Sequence, residues 1–287
     1  MSQMTIGFVG LGIMGAPMAS NLLKKGFLLT VSDIEQKAVE KLTSQGAVRG
    51  DYESIGACDL VFLMLPSGKI SKSVLFEAGL CGCLKAGALV CDLSSQLPEE
   101  AVFACGELAK RGVRYADAPV TGGEPKAVSG ELSFLVGASE SDFACLLPVL
   151  EAMGKKITRM GEVGSGNAAK LANQIITNVT VGAIAEAVNL AKKAGVEPET
   201  LFAAIADGAA GSAMLNTRAQ RIIERNYAPG AKISINQKDM GNVLTFAEQA
   251  GLDLPLSRSY YQTLCRLSKQ GLDGLDVSAV PEYYPET

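Results

Sequence analysis

The chain of 287 residues is long enough for two domains or for one large α/β domain. Hydrophobic residues make up 48% of it and charged residues 20%, a composition that suits a globular protein and excludes a disordered polymer. The formal net charge is −4 and no local cluster of basic residues offsets it, which argues against a nucleic-acid-binding protein.

Histidine is absent from the sequence. A histidine-based triad, a histidine general base and a histidine zinc site are therefore excluded, and an acid–base catalyst must be Lys, Tyr, Cys, Asp or Glu. The seven cysteines are scattered mostly through apolar segments, and Cys81 and Cys83 are too close for the usual spacing of metal ligands. We expect buried, reduced cysteines, no metal and a cytoplasmic location.

Two uncharged stretches are not expected to enter a membrane. Met1–Leu23 lacks a basic leader and is interrupted by four glycines and Pro17, unlike a signal peptide. Leu171–Ala185 has 15 residues, whereas a spanning helix needs about 20 apolar ones. The sequence therefore predicts a soluble protein.

In the first half of the chain, short apolar runs alternate with helical patterns. The predicted strands are Thr5–Val9, Leu28–Ser32, Leu60–Leu65, Ala88–Leu93, Arg114–Ala116 and Leu132–Val136, and the predicted helices include Ala16–Lys25, Glu35–Gln45 and Pro98–Arg111. Strands of about five residues joined through helices predict a parallel, doubly wound sheet. Both faces of such a sheet are covered, which explains runs such as VFLML that are apolar without alternation.

After about Gly161 the strand pattern ends. Asn167–Ala194 is predicted to form one helix about 40 Å long, enough to join two domains. Shorter helices are predicted over Pro198–Asp207, Ser212–Glu224, Ile235–Ala250 and Leu256–Gln270. We predict an α/β domain over residues 1–162 and an all-α domain over residues 163–287, the latter for substrate binding and dimerisation.

A glycine-rich turn follows the first predicted strand and precedes a helix: Gly10-Leu11-Gly12-Ile13-Met14-Gly15. Gly10 permits a tight turn, Gly12 lets a pyrophosphate approach the backbone, and Gly15 allows close packing of helix on strand. The helix N-terminus then offers N–H groups to the phosphates. With the acidic Asp33 at the end of the next strand, this pattern predicts a Rossmann-type dinucleotide-binding domain.

The identity of the dinucleotide follows from Asp33, 23 positions after Gly10. Its carboxylate would accept hydrogen bonds from the 2′-hydroxyl of an adenine ribose. A 2′-phosphate would face this carboxylate with no adjacent arginine in the sequence, so NAD(H) is favoured and NADP(H) is the alternative. S-adenosylmethionine, which also uses such a turn, and a turn required solely for packing are the other interpretations.

Polar segments follow two further predicted strands, Leu65-Pro66-Ser67 and Asp92-Leu93-Ser94-Ser95. Ligands of open α/β sheets bind at the carboxyl ends of the strands. We expect Leu65 and Pro66 to contact the cofactor, and Ser95 to hydrogen-bond its nicotinamide end and the substrate. Ordinary loop polarity is the alternative.

Two segments suggest substrate chemistry. The turn Thr121-Gly122-Gly123 offers a hydroxyl and backbone N–H groups that can hold a carboxylate, unless it is a plain loop. Lys170 lies one turn into the long helix, with Asn173 and Gln174 on the same face. A lysine on a helix is usually solvated, but its small and apolar neighbours favour a position near a cleft at the domain junction. Desolvation lowers the pKa of an amine from about 10.4 and makes it usable as a general base.

Four segments together resemble the β-hydroxyacid dehydrogenase family over nearly the whole chain: GFVGLGIMGAPMASNL, DAPVTGGEPKAVSGELSFLVGA, GSGNAAKLANQ and Asn236-Gln237-Lys238-Asp239. The resemblance implies that Lys170 is the catalytic acid/base and that Asn173 orients the reacting oxygen. It also implies that Thr121, Gly122 and Gly123 bind the substrate carboxylate and that Lys238 and Asp239 contact the cofactor. Many relatives have Asn where this chain has Gln174, so either Asn173 or Gln174 orients the substrate.

The resemblance implies an NAD(P)-dependent oxidoreductase that interconverts a short semialdehyde and its 3-hydroxy acid, as a homodimer or homotetramer. Within the family, GEPKA, KLANQ and Ala210-Gly211-Ser212 resemble members that reduce tartronate semialdehyde to glycerate. Oxidation of 3-hydroxyisobutyrate and reduction of glyoxylate or succinic semialdehyde are the alternatives, since these substrates differ by a few atoms. A non-catalytic NAD-binding protein and a methyltransferase are the alternatives from other classes.

Overall fold

The computed structural model describes residues 4–284, so the first three residues of the stretch Met1–Leu23 lie outside the described part. Two compact units divide the chain, Met1–Lys170 and Leu171–Thr287. This division falls inside a long helix, and the domain boundary between residues 162 and 163 stays a prediction. Within residues 4–284, no helix has both the length and the apolar character needed to cross a bilayer.

The first unit is built on one mixed sheet. Its strands are β1 (Thr5–Val9), β2 (Leu28–Ser32), β3 (Val48–Arg49), β4 (Leu60–Leu63), β5 (Leu89–Asp92), β6 (Arg114–Asp117), β7 (Val120–Thr121), β8 (Leu132–Gly137) and β9 (Gly154–Gly161). The strand order is β3-β2-β1-β4-β5-β6-β8-β7, with β9 also paired to β8. Strands β1 to β6 are parallel, which confirms the predicted doubly wound sheet.

The sheet extends beyond the predicted strands at its margins. β8 runs antiparallel to β6 and β7 and parallel to β9. β3 and β7 have two residues each, too few for a sequence pattern, and β9 carries Lys155, Lys156 and Arg159. Charged residues are common on strands at the edge of a sheet, so β9 lacks the apolar run that marks the central strands.

Helices cover both faces of this sheet. They are α1 (Gly15–Lys24), α2 (Gln36–Thr43), α3 (Tyr52–Gly56), α4 (Gly68–Lys72) with a π-helical turn over Ser73–Glu77, α5 (Leu80–Cys83), α6 (Pro98–Ala109), α7 (Gly123–Ser129) and α8 (Glu140–Leu150). Phe62 packs in one hydrophobic cluster, whereas Val61 and Leu63 pack in another. Successive side chains of β4 therefore enter the cores on opposite faces of the sheet, as the VFLML run predicted.

The second unit is helical in its described part, apart from an isolated bridge between Lys232 and Asp276. Its helices are α9 (Ser165–Lys193, which begins in the first unit), α10 (Pro198–Ile205), α11 (Ala213–Ile223), α12 (Ile233–Gln249) and α13 (Pro255–Lys269), followed by a 3-10 helix over Val277–Tyr283. Each helix predicted in this half begins and ends within two residues of the observed helix. The predicted all-α second half is therefore confirmed.

The cysteines differ in exposure. All seven are free thiols. Cys58, Cys81 and Cys91 are buried as expected, whereas Cys145 is exposed on α8. The expectation of buried cysteines is therefore wrong for Cys145, which lies on the outer face of α8, and holds only in part for Cys83, Cys105 and Cys265, which are partly exposed.

Candidate active site

The glycine-rich turn joins β1 to α1, and its three glycines meet different surroundings. A Cβ atom at Gly10 would lie 2.3 Å from the Met64 carbonyl oxygen, and one at Gly15 would lie 1.9 Å from the Gly10 carbonyl oxygen. Gly12 is exposed, and no atom lies within 4 Å of the position a Cβ would take there. Gly10 and Gly15 are thus required by the fold, whereas Gly12 leaves the backbone open to a ligand.

The start of α1 fits an anionic group. Met14 occupies the N-cap position and makes no side-chain capping bond, and the first turn contains no acidic residue. The backbone N–H groups of this turn and the positive end of the helix dipole suit a pyrophosphate. Ile13 is 53% exposed beside them, whereas the Leu11 side chain is buried in the core. Leu11 can therefore contact a dinucleotide through its backbone but not through its side chain.

Asp33, just after β2, binds the glycine-rich turn directly. One carboxylate oxygen accepts a hydrogen bond from Leu11 N over 2.5 Å, and the other accepts from Glu35 N over 2.7 Å. The carboxylate is half-buried. Asp33 thus fixes the turn in place at the end of the sheet where an adenine ribose would lie.

An arginine lines the same cavity as Asp33, contrary to the expectation from the sequence. Arg49 and Asp33 line the same cavity of about 400 Å³, together with Gln36 and Asp51. Parallel pairing of β2 with β3 places Arg49 opposite Val31, two residues before Asp33. The Arg49 guanidinium donates a hydrogen bond to Gln36 Oε1. Strand pairing produces this proximity, so the sequence neighbours of Asp33 did not reveal it.

The loops after β4 and β5 are bound to each other by Ser94. The Ser94 hydroxyl is buried and accepts hydrogen bonds from Leu65 N over 2.9 Å and from the Ser71 hydroxyl over 3.2 Å. Leu65 and Ser95 are half-buried and Pro66 is exposed. The structure therefore brings together the predicted residues Leu65, Pro66 and Ser95 at the carboxyl ends of neighbouring strands.

Lys170 and the Thr121-Gly122-Gly123 turn lie together in the first unit. The Lys170 ammonium donates a hydrogen bond to the Val120 carbonyl oxygen over 2.9 Å. Val120 and Thr121 form β7, and α7 begins at Gly123 with Gly122 at its N-cap. Gly122 has no side chain that could cap this helix, and the first turn of α7 contains the acidic Glu124. The Lys170 ammonium is therefore bound to the residue that immediately precedes Thr121, and a cation at the start of this turn suits a carboxylate ligand.

Asp117 and Asn167 are buried, were not predicted as site residues, and fix the start of α9. Asp117, at the end of β6, accepts hydrogen bonds from Gly164 N over 2.7 Å and from Asn167 N over 2.7 Å. Burial raises the pKa of the Asp117 carboxyl to about 6, although these hydrogen bonds act in the opposite direction. The sequence signal that could have identified Asp117 is its place directly after the predicted strand Arg114–Ala116, at the carboxyl end where ligands of such sheets bind.

In the second unit, the predicted residues form a chain of hydrogen bonds. Asn173 Nδ2 donates to Gln174 Oε1 over 3.1 Å, and Gln174 Nε2 donates to Asp239 Oδ2 over 2.5 Å. The Lys238 ammonium lies 2.8 Å from Asp239 Oδ1. Gln174 and Asp239 are buried, whereas Asn173 and Lys238 are half-buried. Both polar atoms of the Gln174 side-chain amide are thus hydrogen-bonded, one to Asn173 and the other to Asp239.

No group of three or more Cys, Asp or Glu residues between positions 4 and 284 is arranged to bind a metal ion.

The contrast between Gly12 and Gly15 can be tested by adding a methyl group to each. Gly12→Ala should fold with an unchanged melting temperature but should bind NADH at least about tenfold more weakly, because the methyl group occupies space that a pyrophosphate needs. Gly15→Ala should lower the melting temperature, because its Cβ collides with backbone. Gly106→Ala on α6, where a Cβ also meets no atom within 4 Å, is the control and should leave NADH binding unchanged. Full NADH affinity in Gly12→Ala, measured by fluorescence titration, would contradict this assignment.

Two family profiles match the chain. One described as the NAD binding domain of 6-phosphogluconate dehydrogenase matches residues 5–161. The other, described as the NAD-binding domain of NADP-dependent 3-hydroxyisobutyrate dehydrogenase, matches residues 164–284.

Individual proteins match over almost their full length. The chain is 38% identical to 2-hydroxy-3-oxopropionate reductase of Escherichia coli K12, with 96% of each chain covered. It is 34% identical to 3-hydroxyisobutyrate dehydrogenase of Pseudomonas aeruginosa, with 97% of this chain and 98% of that protein covered. The structure of Mycobacterium tuberculosis 3-hydroxyisobutyrate dehydrogenase with L-serine has a TM-score of 0.90 at 29% identity, covering 98% of this chain and 99% of that one. The chain belongs to the β-hydroxyacid dehydrogenase family and is an NAD(P)-dependent oxidoreductase that acts on hydroxy acids.

Proposed function

We propose that this enzyme reduces tartronate semialdehyde (2-hydroxy-3-oxopropionate) to glycerate and catalyses the reverse oxidation. The observation that carries the proposal is the Lys170 ammonium, held against the Val120 carbonyl oxygen beside the Thr121-Gly122-Gly123 turn. Similarity over nearly the whole chain to a 2-hydroxy-3-oxopropionate reductase supports this choice of substrate. A bound nicotinamide dinucleotide supplies the hydride in reduction and accepts it in oxidation.

Lys170 is the acid/base of this proposal. In reduction, its ammonium donates a proton to the carbonyl oxygen, which becomes the hydroxyl oxygen of the product. In oxidation, the neutral amine accepts the hydroxyl proton. Acid–base assistance of this kind contributes about 10²–10⁴ in rate, and alignment of the reactants supplies much of the remainder.

The Thr121-Gly122-Gly123 turn holds the substrate carboxylate. The Thr121 hydroxyl and the N–H groups at the start of α7 are donors without a formal charge, and Lys170 lies beside them. Thr121 carries a methyl group next to its hydroxyl, and we propose that this methyl group restricts the size of the substrate. A narrow site favours a three-carbon substrate over the longer succinic semialdehyde.

Asn173 is assigned to the reacting oxygen rather than Gln174. The Gln174 amide is buried and uses its oxygen for Asn173 Nδ2 and its nitrogen for Asp239. This pairing fixes the orientation of the Asn173 amide on the helix that also carries Lys170. Gln174 therefore acts as the residue that orients Asn173.

NADH is the proposed reductant, and the charges of the Asp33 cavity support it. Asp33 and Asp51 carry two negative charges there and Arg49 carries one positive charge. Hydrogen bonds from Ser54 lower the pKa of Asp51, which keeps its carboxylate ionised. A 2′-phosphate would therefore enter a cavity of negative net charge, whereas a ribose hydroxyl would find a carboxylate acceptor.

The role of Lys170 predicts a large loss of turnover. Lys170→Ala should lower kcat for semialdehyde reduction by about 100-fold or more, because the proton donor is removed, while the Kd for NADH changes by less than about twofold. Lys110→Ala is the matched control, since Lys110 is a surface lysine paired with Glu107. Steady-state kinetics and NADH fluorescence titration provide the two measurements. Unchanged turnover in Lys170→Ala would exclude this role.

The substrate is tested by a panel of four aldehydes. NADH oxidation is measured with tartronate semialdehyde, methylmalonate semialdehyde, glyoxylate and succinic semialdehyde. We expect the highest kcat/KM for tartronate semialdehyde and the lowest for the longer succinic semialdehyde, because the Thr121 methyl group is proposed to restrict the size of the substrate. A higher kcat/KM for methylmalonate semialdehyde would instead identify a 3-hydroxyisobutyrate dehydrogenase. No turnover with any of the four would contradict the proposed function.

The cofactor preference is tested at the two charged residues of the Asp33 cavity. Asp33→Ala should weaken NADH binding by about tenfold and reduce the preference for NADH over NADPH, because the ribose acceptor and a repulsive charge are both lost. Arg49→Gln should weaken NADPH binding while leaving NADH binding within about twofold, because the cavity loses its cation. The measurement is the dissociation constant of each variant, and of the wild type, for NADH and for NADPH. Equal NADH affinity in wild type and Asp33→Ala would contradict the ribose contact.

A further inference from the structure

A chain of buried hydrogen bonds links three segments of the first unit. Gln96 Nε2 donates to Asp92 Oδ2 over 3.3 Å, and Gln96 N donates to Asn167 Oδ1 over 3.0 Å. Asn167 Nδ2 in turn donates to Asp117 Oδ2 over 3.0 Å. None of the four residues is more than 2% exposed, so these hydrogen bonds are shielded from bulk water. The chain therefore joins the ends of β5 and β6 to the first turn of α9.

Asn167 is the junction of this chain, and its amide is chemically suited to that place. It accepts a hydrogen bond through Oδ1 from one segment and donates through Nδ2 to another. A carboxylate at this position would lack the donor and would repel Asp117. A hydrocarbon side chain would leave the buried Gln96 N–H without its acceptor. The asparagine amide supplies both the acceptor for Gln96 N and the donor for Asp117 Oδ2.

The backbone at the start of α9 has little room to adjust. A Cβ atom at Gly166 would lie 2.4 Å from the Leu135 carbonyl oxygen and 2.9 Å from Asp117 Oδ2. The helix thus begins in direct contact with the ends of β6 and β8. Because the interior is close-packed, a change at Asn167 is transmitted along the helix rather than absorbed locally.

The three linked segments are the ones that carry the proposed chemistry. Ser95 immediately precedes Gln96, and β7 with its Val120 carbonyl begins three residues after Asp117. Lys170 follows Asn167 by three residues, which is about one turn of α9. The position of the Lys170 ammonium relative to these segments therefore depends on the orientation of the Asn167 amide.

We propose that Asn167 is a positioning residue, whose amide holds Lys170 in register with Ser95 and the Thr121-Gly122-Gly123 turn. This inference rests on the proposed function of Lys170 as acid/base. Asn167 acts through Lys170, because its own side chain is fully buried and bound to Gln96 and Asp117. A displacement of about 1 Å at a reacting group can cost up to about 100-fold in rate.

Kinetics of two variants test the proposal. In Asn167→Ala and Asn167→Asp, kcat for semialdehyde reduction should fall about tenfold or more, while the KM for the aldehyde and the Kd for NADH stay within about twofold. Asn189→Ala, on the same helix, is the control; Asn189 Nδ2 donates to the Ala185 carbonyl oxygen over 2.9 Å, and kcat should be unchanged. Unchanged kcat in both Asn167 variants, or a raised KM with normal kcat, would overturn the proposal.

A second measurement does not require turnover. Lysines are reductively methylated with a 13C label, and the NMR signal of Lys170 is assigned by its loss in Lys170→Arg. Its chemical shift and titration midpoint should move in the Asn167 variants and stay in place in Asn189→Ala. Asn167→Ser adds neither a charge nor bulk at this buried position, so it serves where Asn167→Ala or Asn167→Asp does not fold.

The two measurements separate the two proposals. A wild-type enzyme that reduces none of the four aldehydes would refute the proposed function, yet a shifted Lys170 signal would still support the positioning role. A Lys170 signal that is identical in wild type and the folded Asn167 variants would overturn the positioning role, whatever the activity.

Discussion

The hydrogen bonds of the buried Asp117 carboxylate hold the site residues of the first unit in their arrangement. It lies at the end of β6 and binds the N–H groups of Gly164 and Asn167 at the start of α9. Burial raises the pKa of this carboxyl to about 6, because the ionised form loses its hydration in this environment. The hydrogen bonds partly offset that cost and give the long helix a fixed origin. Lys170, five residues after the helix begins, takes its position from this contact.

The proposed ligands, a dinucleotide and a carboxylate substrate, are anionic, although the net charge of the chain is −4. The structure provides backbone N–H groups at the starts of α1 and α7, where neither N-cap residue makes a side-chain capping bond. Helix termini and glycine-rich turns hold phosphate or carboxylate without a cluster of basic residues. The ammonium of Lys170 adds a positive charge where proton transfer is proposed, whereas the backbone N–H groups carry no formal charge.

Much of the fold could be predicted because its elements carry local patterns. β1 and β2 have the predicted bounds, and the helices of the second unit lie within two residues of theirs. β3, β7 and β9 were missed, because two of them have two residues each and the third is a charged edge strand. The antiparallel pairing of β8 with β6 likewise has no sequence signal, since it depends on contacts between distant segments.

The central strands, the helices of the second unit, the glycine-rich turn and the residue types available for catalysis follow from the sequence alone, because each is encoded in short spacing or in composition. Tertiary structure decided which side chains meet. Pairing of β2 with β3 brought Arg49 into the Asp33 cavity, and the close approach of α9 to β6 joined Asn167 to Asp117. These partners are 16 and 50 residues apart in the chain, and a buried polar group finds its partner through packing of the whole unit rather than through its sequence neighbours.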